Sequence, residues 1–320
     1  MANIIEANEA TTVPMRVVSY VWENEKTRSF RLATVDGSVL GDFTPGSHIE
    51  LHLAQGLRRA YSIIGVTDDK RGYELGVLHV EGGRGGSRFI HERLRVGDII
   101  EITPPRNFFP LSEGVPHTVF LAGGIGITPF FSMMKKLSQT QDSWEIFYCV
   151  RSLSTAAFLN RFDLNDNRIH LHVDDTDGIL DINSMVQQSA PGTHFYCCGP
   201  EGMLGAFKNA TQHLTQECVH LESFLPAIVE EHSGFEVELV RTGKRIAVRH
   251  DETILDALLN AGFDPPYSCQ QGICGACELK VLDGLPDHKD EVLSEKERAL
   301  NNKIMICCSS SKSPLLKLDF

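Results

Sequence analysis

Residues 266–280 read PYSCQQGICGACELK, and the fold turns on why Cys269, Cys274 and Cys277 crowd together there with Gly272 and Gly275 between them. Cysteines this dense are disulfide staples, a metal or cluster site, or chance. The chain holds nine cysteines, an odd number, and its first residues, MANIIEANEATT, have neither the basic region nor the apolar run of a secretory signal. In a reducing compartment disulfides are disfavoured, and clustered cysteines more often hold metal or catalyse.

The bulk composition narrows the setting. A chain of 320 residues exceeds one ordinary hydrophobic core, so two or three domains are expected. It is 42% hydrophobic and 22% charged, ordinary for a globular protein. Its net charge of −12 argues against nucleic acid or an anionic membrane as partner, because both require a basic face. The longest apolar tract, Thr118 to Phe131, is interrupted by Gly123, Gly124, Gly126 and Pro129 and is too short to span a bilayer. A soluble, cytoplasmic protein is expected.

The texture along the chain changes twice. Residues 13–112 alternate polar and apolar in short runs (MRVVSYVWE, SFRLATV, HIELHL, YELGVLHV) separated by Gly, Asp and Pro, the pattern of an antiparallel barrel. Residues 113–226 carry buried-type strands (HTVFLAGG, WEIFYCV, RIHLHVD, THFYCCG) alternating with helical stretches, PFFSMMKKLSQ and Ser154–Arg161, which implies a parallel α/β sheet. A linker is expected at 225–234. Residues 227–320 form a third domain with strands FEVELV and KRIAVRH, a helix from Thr253 to Ala261, and the cysteine stretch.

The cysteine spacing is Cys269-x4-Cys274-x2-Cys277, followed by Cys307. That is the pattern of a plant-type [2Fe–2S] site, in which four thiolates hold the cluster. The loop must wrap closely, and Gly272 and Gly275 permit close approach and positive φ. A zinc site or buried structural cysteines are the alternatives, but zinc sites more often show paired C-x2-C knuckles. Cys308 adjoins Cys307, and only one of two adjacent extended residues can face the cluster. IMICCSS, residues 304–310, resembles the ferredoxin pattern of a hydrophobic run ending in the ligand, which favours Cys307 and leaves Cys308 a buried bystander.

In the middle domain LAGGIGITP (121–129) follows a strand and opens a helix, a turn able to offer amides to a pyrophosphate. It is not a P-loop and lacks the full G-x-G-x-x-G form. FYCCGPEGM (195–203) ends a later strand, and in a parallel sheet both loops reach the same edge. GGIGITP with CGPEGM resembles the nicotinamide-binding domain of the ferredoxin–NADP reductase superfamily. The resemblance implicates Gly124, Gly126 and Thr128 at the pyrophosphate, and Cys198, Gly199 and Pro200 near the nicotinamide, while burial explains Cys197. Asp174 and Asp175 end a strand in HVDDTDG (172–178), where an acid binds ribose hydroxyls and repels a 2′-phosphate. NADH is therefore favoured, although Arg151 after the preceding strand offers a competing attraction for that phosphate.

RRAYSII (58–64) holds Arg59-Ala60-Tyr61-Ser62, and GGRGGSRF (82–89) holds Gly85, Gly86 and Ser87 at a helix start. Taken singly, these match an exposed strand tyrosine and a flexible glycine turn equally well. In the same superfamily R-x-Y-S places Arg on the flavin phosphate, Tyr against the ring and Ser near the reactive nitrogen. The order of barrel, nicotinamide domain and C-terminal plant-type ferredoxin resembles the phthalate dioxygenase reductase family, which includes vanillate O-demethylase reductases, over nearly the whole chain. The resemblance implies a β-grasp ferredoxin domain, FMN (FAD being the alternative), and PPRNFFPL (104–111) and HLESF (220–224) as family segments. Phe224 then lies by the flavin, with hydride transfer near Ser62, Cys198 and Phe224. Where the family often has a basic pair, this chain has GVLHVEGG, so Val77 and His79 are the candidates for contact at that strand.

NADH releases electrons as a pair, a [2Fe–2S] cluster accepts one, and a flavin handles both, so the flavin must stand between them. No general acid, base or nucleophile is needed, and no G-x-S-x-G or H-E-x-x-H constellation occurs. Family resemblance implies a separate Rieske non-haem iron oxygenase acting on an aromatic acid or methoxy-aromatic as partner, since no Rieske C-x-H…C-x-x-H pair is present, and a monomeric reductase. A reductase serving a cytochrome P450 or other acceptor, an iron–sulfur sensor and a zinc scaffold are the competing readings.

Overall fold

In the computed structural model the described residues are 12–53, 57–83, 85–224, 232–267, 270, 272 and 275–320. Cys269, Cys274 and most of the expected linker lie outside them. The chain divides between Phe224 and Leu225 into two units.

The first unit opens with β1 (Val13–Trp22), β2 (Thr27–Thr34), β3 (His48–His52), β4 (Arg58–Val66), β5 (Gly72–Leu78), α1 (Gly86–Glu92) and β6 (Ile99–Ile102). The strands close into a barrel in the order β1-β2-β5-β4-β3-β6, every pairing antiparallel. Alternation fills the interior: Met15 and Val17, Phe30 and Leu32, Ile49 and Leu51, Ile63, and Leu75 and Val77 are all buried. Closure between Val13–Arg16 and Ile99–Ile102 leaves no open sheet edge. Ile90 of α1 plugs into the same core.

The same unit continues with β7 (His117–Gly123), α2 (Thr128–Thr140), β8 (Trp144–Val150), β9 (Ile169–Val173), α3 (Asp174–Asp177), α4 (Ile182–Gln188), β10 (Thr193–Cys198), α5 (Glu201–Thr211) and β11 (Val219–Glu222). The sheet is wholly parallel, in the order β11-β10-β7-β8-β9. Both faces are covered, one by Phe130 and Met133 of α2 over Phe120 and Tyr148, the other by α4 and α5 over Val119, Leu121 and Phe195. That is why β7 reads as an unbroken apolar run. The helix expected at Ser154–Arg161 is instead two short 3-10 turns, Leu153–Thr155 and Leu159–Arg161. The Tyr148 hydroxyl accepts from Ala157 N and donates to Ala157 O, both at 3.1 Å, and so captures the backbone groups a helix would have used.

The second unit comprises β12 (Phe235–Leu239), β13 (Lys244–Val248), α6 (Ile254–Asn260), β14 (Glu278–Asp283), β15 (Pro286–Asp287), α7 (Glu295–Ala299), β16 (Lys303–Met305), β17 (Ser310–Ser311) and β18 (Leu315–Leu318). Its main sheet runs β13-β12-β18-β14-β16, with only β12 and β18 parallel. Thr253 and Asp256 form a reciprocal capping box that starts α6, and Ile254, Leu255 and Leu258 bury its inner face against the sheet. A mixed sheet folded around one helix is the β-grasp arrangement.

Candidate functional site

The parallel register brings the first group of residues together. Cys198, the last residue of β10, pairs with Ala122 of β7 on one side and Glu222 of β11 on the other. The loops 123–128, 199–203 and 222–224 therefore emerge side by side from the carboxyl edge of the sheet, where open α/β sheets bind ligands. The loops touch backbone to backbone. A Cβ on Gly126 would collide with the Cys198 carbonyl, and one on Gly123 would lie 2.5 Å from Pro200 Cδ and 3.0 Å from Gly199 Cα. Gly124 differs, with φ of +54° and nothing within 4 Å of its Cβ position, so it is the glycine that faces open space. The Thr128 hydroxyl is turned inward and donates to Ile125 O at 3.0 Å, closing the turn. Pro200 caps α5.

Cys198 is fully buried, and burial, reinforced by the Glu222 carboxylate and Cys197, pushes its thiol well above the ordinary range. It is a neutral packing group at the crevice and no thiolate nucleophile. Cys197 is buried on the opposite face, as expected. Ser223 is 4% exposed and its Oγ has no hydrogen-bond partner among the described residues, whereas Phe224 is 44% exposed. An orphaned buried hydroxyl beside an exposed ring suits a crevice built for a flat ligand. Farther along the same edge, Asp175 N donates to Arg151 O at 3.0 Å, so the ends of β8 and β9 are tied together. Asp174 opens α3 with Oδ1 3.8 Å from His172 Nε2.

The second group lies on the barrel. Arg59 runs along the start of α1, so that a Cβ on Gly86 would sit 2.5 Å from its Cγ and 2.9 Å from its Nε. Gly85 caps α1 in the left-handed region at φ 85°, and Ser87 Oγ accepts from Val80 N at 3.1 Å. A side chain at 86 would have to displace the arginine, and the pair forms a cradle that it would fill. Ala60 is exposed, Tyr61 is half-buried with its phenol pushed up by burial, and Ser62 is 5% exposed. Val77 turns its side chain into the barrel core, leaving only its backbone for a cofactor, and its carbonyl is already 3.0 Å from His91 Nε2. His79 sets its ring 5.2 Å from that of His91. Sequence reasoning missed His48, which pairs with Ser62 across β3 and β4 and stacks on Phe108 at 5.7 Å. Burial, then Arg106, holds its pKa down to about 4, so it is a neutral imidazole beside Ser62.

The barrel and the sheet that carry the two groups are packed together. Ile64, next but one to Ser62 on β4, joins the core around Phe120 and Phe130. A Cβ on Gly76 of β5 would lie 2.9 Å from Thr128 Cγ2, and Gly46 N donates to Ser132 Oγ at 3.2 Å. Arg161 locks the junction: it is bidentate to Glu74 at 2.6 and 3.3 Å, lies 3.6 Å from Glu23, and packs over Phe131 and Phe158.

In the second unit, antiparallel pairing of Glu278 with Met305 sets Cys277 next to Ile306, with Ile306 N donating to Cys277 O at 3.4 Å. Cys277 and Cys307 are thereby neighbours at one end of the β14–β16 pair, each 2% exposed. Gly272 and Gly275 both have positive φ, 72° and 76°. Two sheltered thiols beside Gly272 and Gly275 at positive φ fit an iron–sulfur cluster. Cys308 is partly exposed, not the buried bystander expected. Its Sγ is 3.7 Å from Met305 O and would be 2.5 Å from a Cβ on Gly272, so this side chain faces Gly272.

Comparison with known proteins follows the same division. Residues 14–109 match the oxidoreductase FAD-binding domain, 120–209 the oxidoreductase NAD-binding domain, and 237–312 the 2Fe-2S iron-sulfur cluster binding domain. The chain is 41% identical to tetrachlorobenzoquinone reductase of Sphingobium chlorophenolicum, over 98% of this chain and 99% of that one. It is 38% identical to vanillate O-demethylase oxidoreductase of Acinetobacter baylyi, over 91% and 94%. The solved structure of phthalate dioxygenase reductase superposes with a TM-score of 0.78 at 31% identity, covering 98% and 99%. Among the described residues no helix is long and apolar enough to cross a membrane. A flavin domain, a nicotinamide domain and a [2Fe–2S] domain follow one another in an oxidoreductase whose relatives include reductase subunits of multi-component oxygenases, and the chain belongs to the family of vanillate O-demethylase oxidoreductase and phthalate dioxygenase reductase.

Proposed function

We propose that this protein is the NADH-dependent reductase of a two-component system and delivers electrons singly to a separate Rieske non-haem iron oxygenase acting on an aromatic acid or methoxy-aromatic. What supports this reading is the juxtaposition within one unit: the loops bearing Gly124–Thr128, Cys198–Pro200 and Phe224 leave the sheet side by side, and Thr128 packs on Gly76 of the barrel, whose neighbouring strand bears Arg59–Ser62. Bound nicotinamide, flavin and cluster would supply hydride and one-electron chemistry that side chains lack. The chain's part is binding, orientation and exclusion of water. On this reading Arg59, with Gly85, Gly86 and Ser87, holds the phosphate of FMN, for which a bidentate guanidinium and backbone amides are suited. Ala60, Tyr61 and Ser62, with the Val77 backbone and His79, line the flavin, and Phe224 covers the ring until nicotinamide displaces it. Gly124 and Gly126 shape the pyrophosphate cradle, Thr128 closes it, and Cys198, Gly199 and Pro200 floor the nicotinamide. Asp174 takes the ribose hydroxyls and disfavours NADPH. Cys269, Cys274, Cys277 and Cys307 ligate the cluster. The domains are assigned to 13–112, 113–226 and 227–320, in a cytoplasmic monomer.

The test is an anaerobic NADH titration watched by visible absorption, followed by reconstitution with purified oxygenases. Bleaching of both flavin and iron–sulfur bands, and turnover with a Rieske oxygenase, supports the proposal; bleaching of the flavin alone refutes the electron path. A second reading, direct reduction of a quinone, is favoured by the relative named tetrachlorobenzoquinone reductase. It predicts rapid NADH oxidation with a halogenated benzoquinone and no oxygenase present.

A further inference from the structure

Beside the cysteine loop lies a buried polar cluster that the electron path above does not use. Asp290 is 2% exposed, with no accessible side-chain surface. Its Oδ2 accepts from Leu293 N at 2.8 Å, and its Oδ1 lies 3.5 Å from Ser309 Oγ. His288 is buried alongside with Nδ1 3.6 Å from Oδ1, and neither of its ring nitrogens has a hydrogen-bond partner among the described residues. The Arg298 guanidinium donates to the Asp290 carbonyl and stands 4.0 Å from its carboxylate.

The backbone around Asp290 is fastened on two sides. Glu291 N donates to Gly272 O at 2.8 Å, and a Cβ on Gly272 would lie 2.9 Å from Asp290 Cα. On the other side Lys289 N donates to Ser309 Oγ at 3.1 Å, two residues beyond Cys307. Gly272 falls between Cys269 and Cys274 in sequence, and Asp290 sits between Gly272 and the turn that carries Cys307. Burying a carboxylate there is costly, and an apolar residue would pack as well. A negative charge held in a low dielectric acts strongly on its surroundings, and net charge is one of the levers that set the potential of an iron–sulfur cluster.

We infer that Asp290 is a positioning residue for the [2Fe–2S] site: its buried carboxylate, accepting from Leu293 N and lying 3.5 Å from Ser309 Oγ, fixes the 289–293 segment whose backbone holds Gly272, and its charge holds the cluster's reduction potential down. The inference rests on the cluster assignment proposed above. Asp290→Asn keeps the size and one acceptor and removes the charge. The holoprotein should retain its iron content and visible circular dichroism, while its cluster midpoint moves positive by about tenfold in the reduction equilibrium, about 59 mV for one electron. Arg298→Gln removes the opposing charge and should move the midpoint the other way. An intact cluster with an unchanged midpoint in Asp290→Asn overturns the inference. If that variant binds no iron, Arg298→Gln decides: a negative shift supports the inference and an unchanged midpoint overturns it. Wild-type protein without an iron–sulfur spectrum would sink the cluster assignment itself, a result distinct from either.

Discussion

Replacing Gly126 by alanine separates two roles that one glycine-rich loop can have. Gly126 is not in the left-handed region, so the substitution introduces no backbone strain of its own. The added methyl would land on the Cys198 carbonyl, with Gly199 N 3.0 Å away, and both are backbone atoms that no rotamer change can move. Overpacking typically costs about 1–3 kcal/mol, and a rigid obstacle puts this site near the upper end. At about 2–4 °C per kcal/mol for a body of this size, the melting temperature of the flavin–nicotinamide unit should fall by about 6–12 °C. Prising the loops apart should also slow anaerobic flavin reduction by NADH, read by stopped flow. Gly124→Ala is the control. Its φ of +54° costs about 1–2 kcal/mol, but its Cβ meets nothing, so melting should fall less. Gly126→Ala melting with wild type, or Gly124→Ala proving the more damaging, would refute the close-packing account.

Further outcomes are expected elsewhere. Burial holds His48 and His220 at about 4, below the unfolded value of 6.5, so the unfolded chain binds protons first as pH falls. Stability should be full above about pH 6.5, decline down to about pH 4, and level off below; His48 alone accounts for on the order of 3 kcal/mol, and His48→Leu should flatten the slope in a denaturant series. Cys274→Ser and Cys307→Ser should abolish the iron–sulfur absorption while NADH still bleaches the flavin, and Cys308→Ser should keep both; a retained cluster in Cys307→Ser would transfer the ligand role to its neighbour. Arg161→Met should destabilise the flavin–nicotinamide unit by about 1.5–3 kcal/mol in urea melts by removing the guanidinium from Glu74 and the well-buried Glu23, which keep Arg31 and Ser29 as partners, and wild-type stability would show the strut to be idle.

Much of the barrel was legible from short polar–apolar alternation, as in β1, and β7, β8 and β10 because a strand covered on both faces must be apolar throughout. Both glycine-bearing loops at the sheet's carboxyl edge were legible from their glycines, although Gly123 and Gly199 answer to each other's backbone. What escaped had tertiary causes. Ser154–Arg161 has a helical pattern, but the Tyr148 hydroxyl breaks it from another strand. His48 and Arg161 matter through neighbours distant in sequence, so nothing local marks them. Helix α5 could have been found from Leu204, Phe207 and Thr211 at helical spacing, were Gly202 and Gly205 not diluting the signal.

The strand order has a consequence for how this enzyme could diversify. Loops of the central and β11-side strands, β7, β10 and β11, brace one another through shared backbone contacts, whereas Asp174 and Arg151 end β9 and β8, at the far side of the sheet. On the proposed reading, the adenosine half of a nucleotide would be recognised at β9, two strands from the central β7. A lineage could exchange one coenzyme for the other by drift at the sheet's margin, with the reactive end left undisturbed.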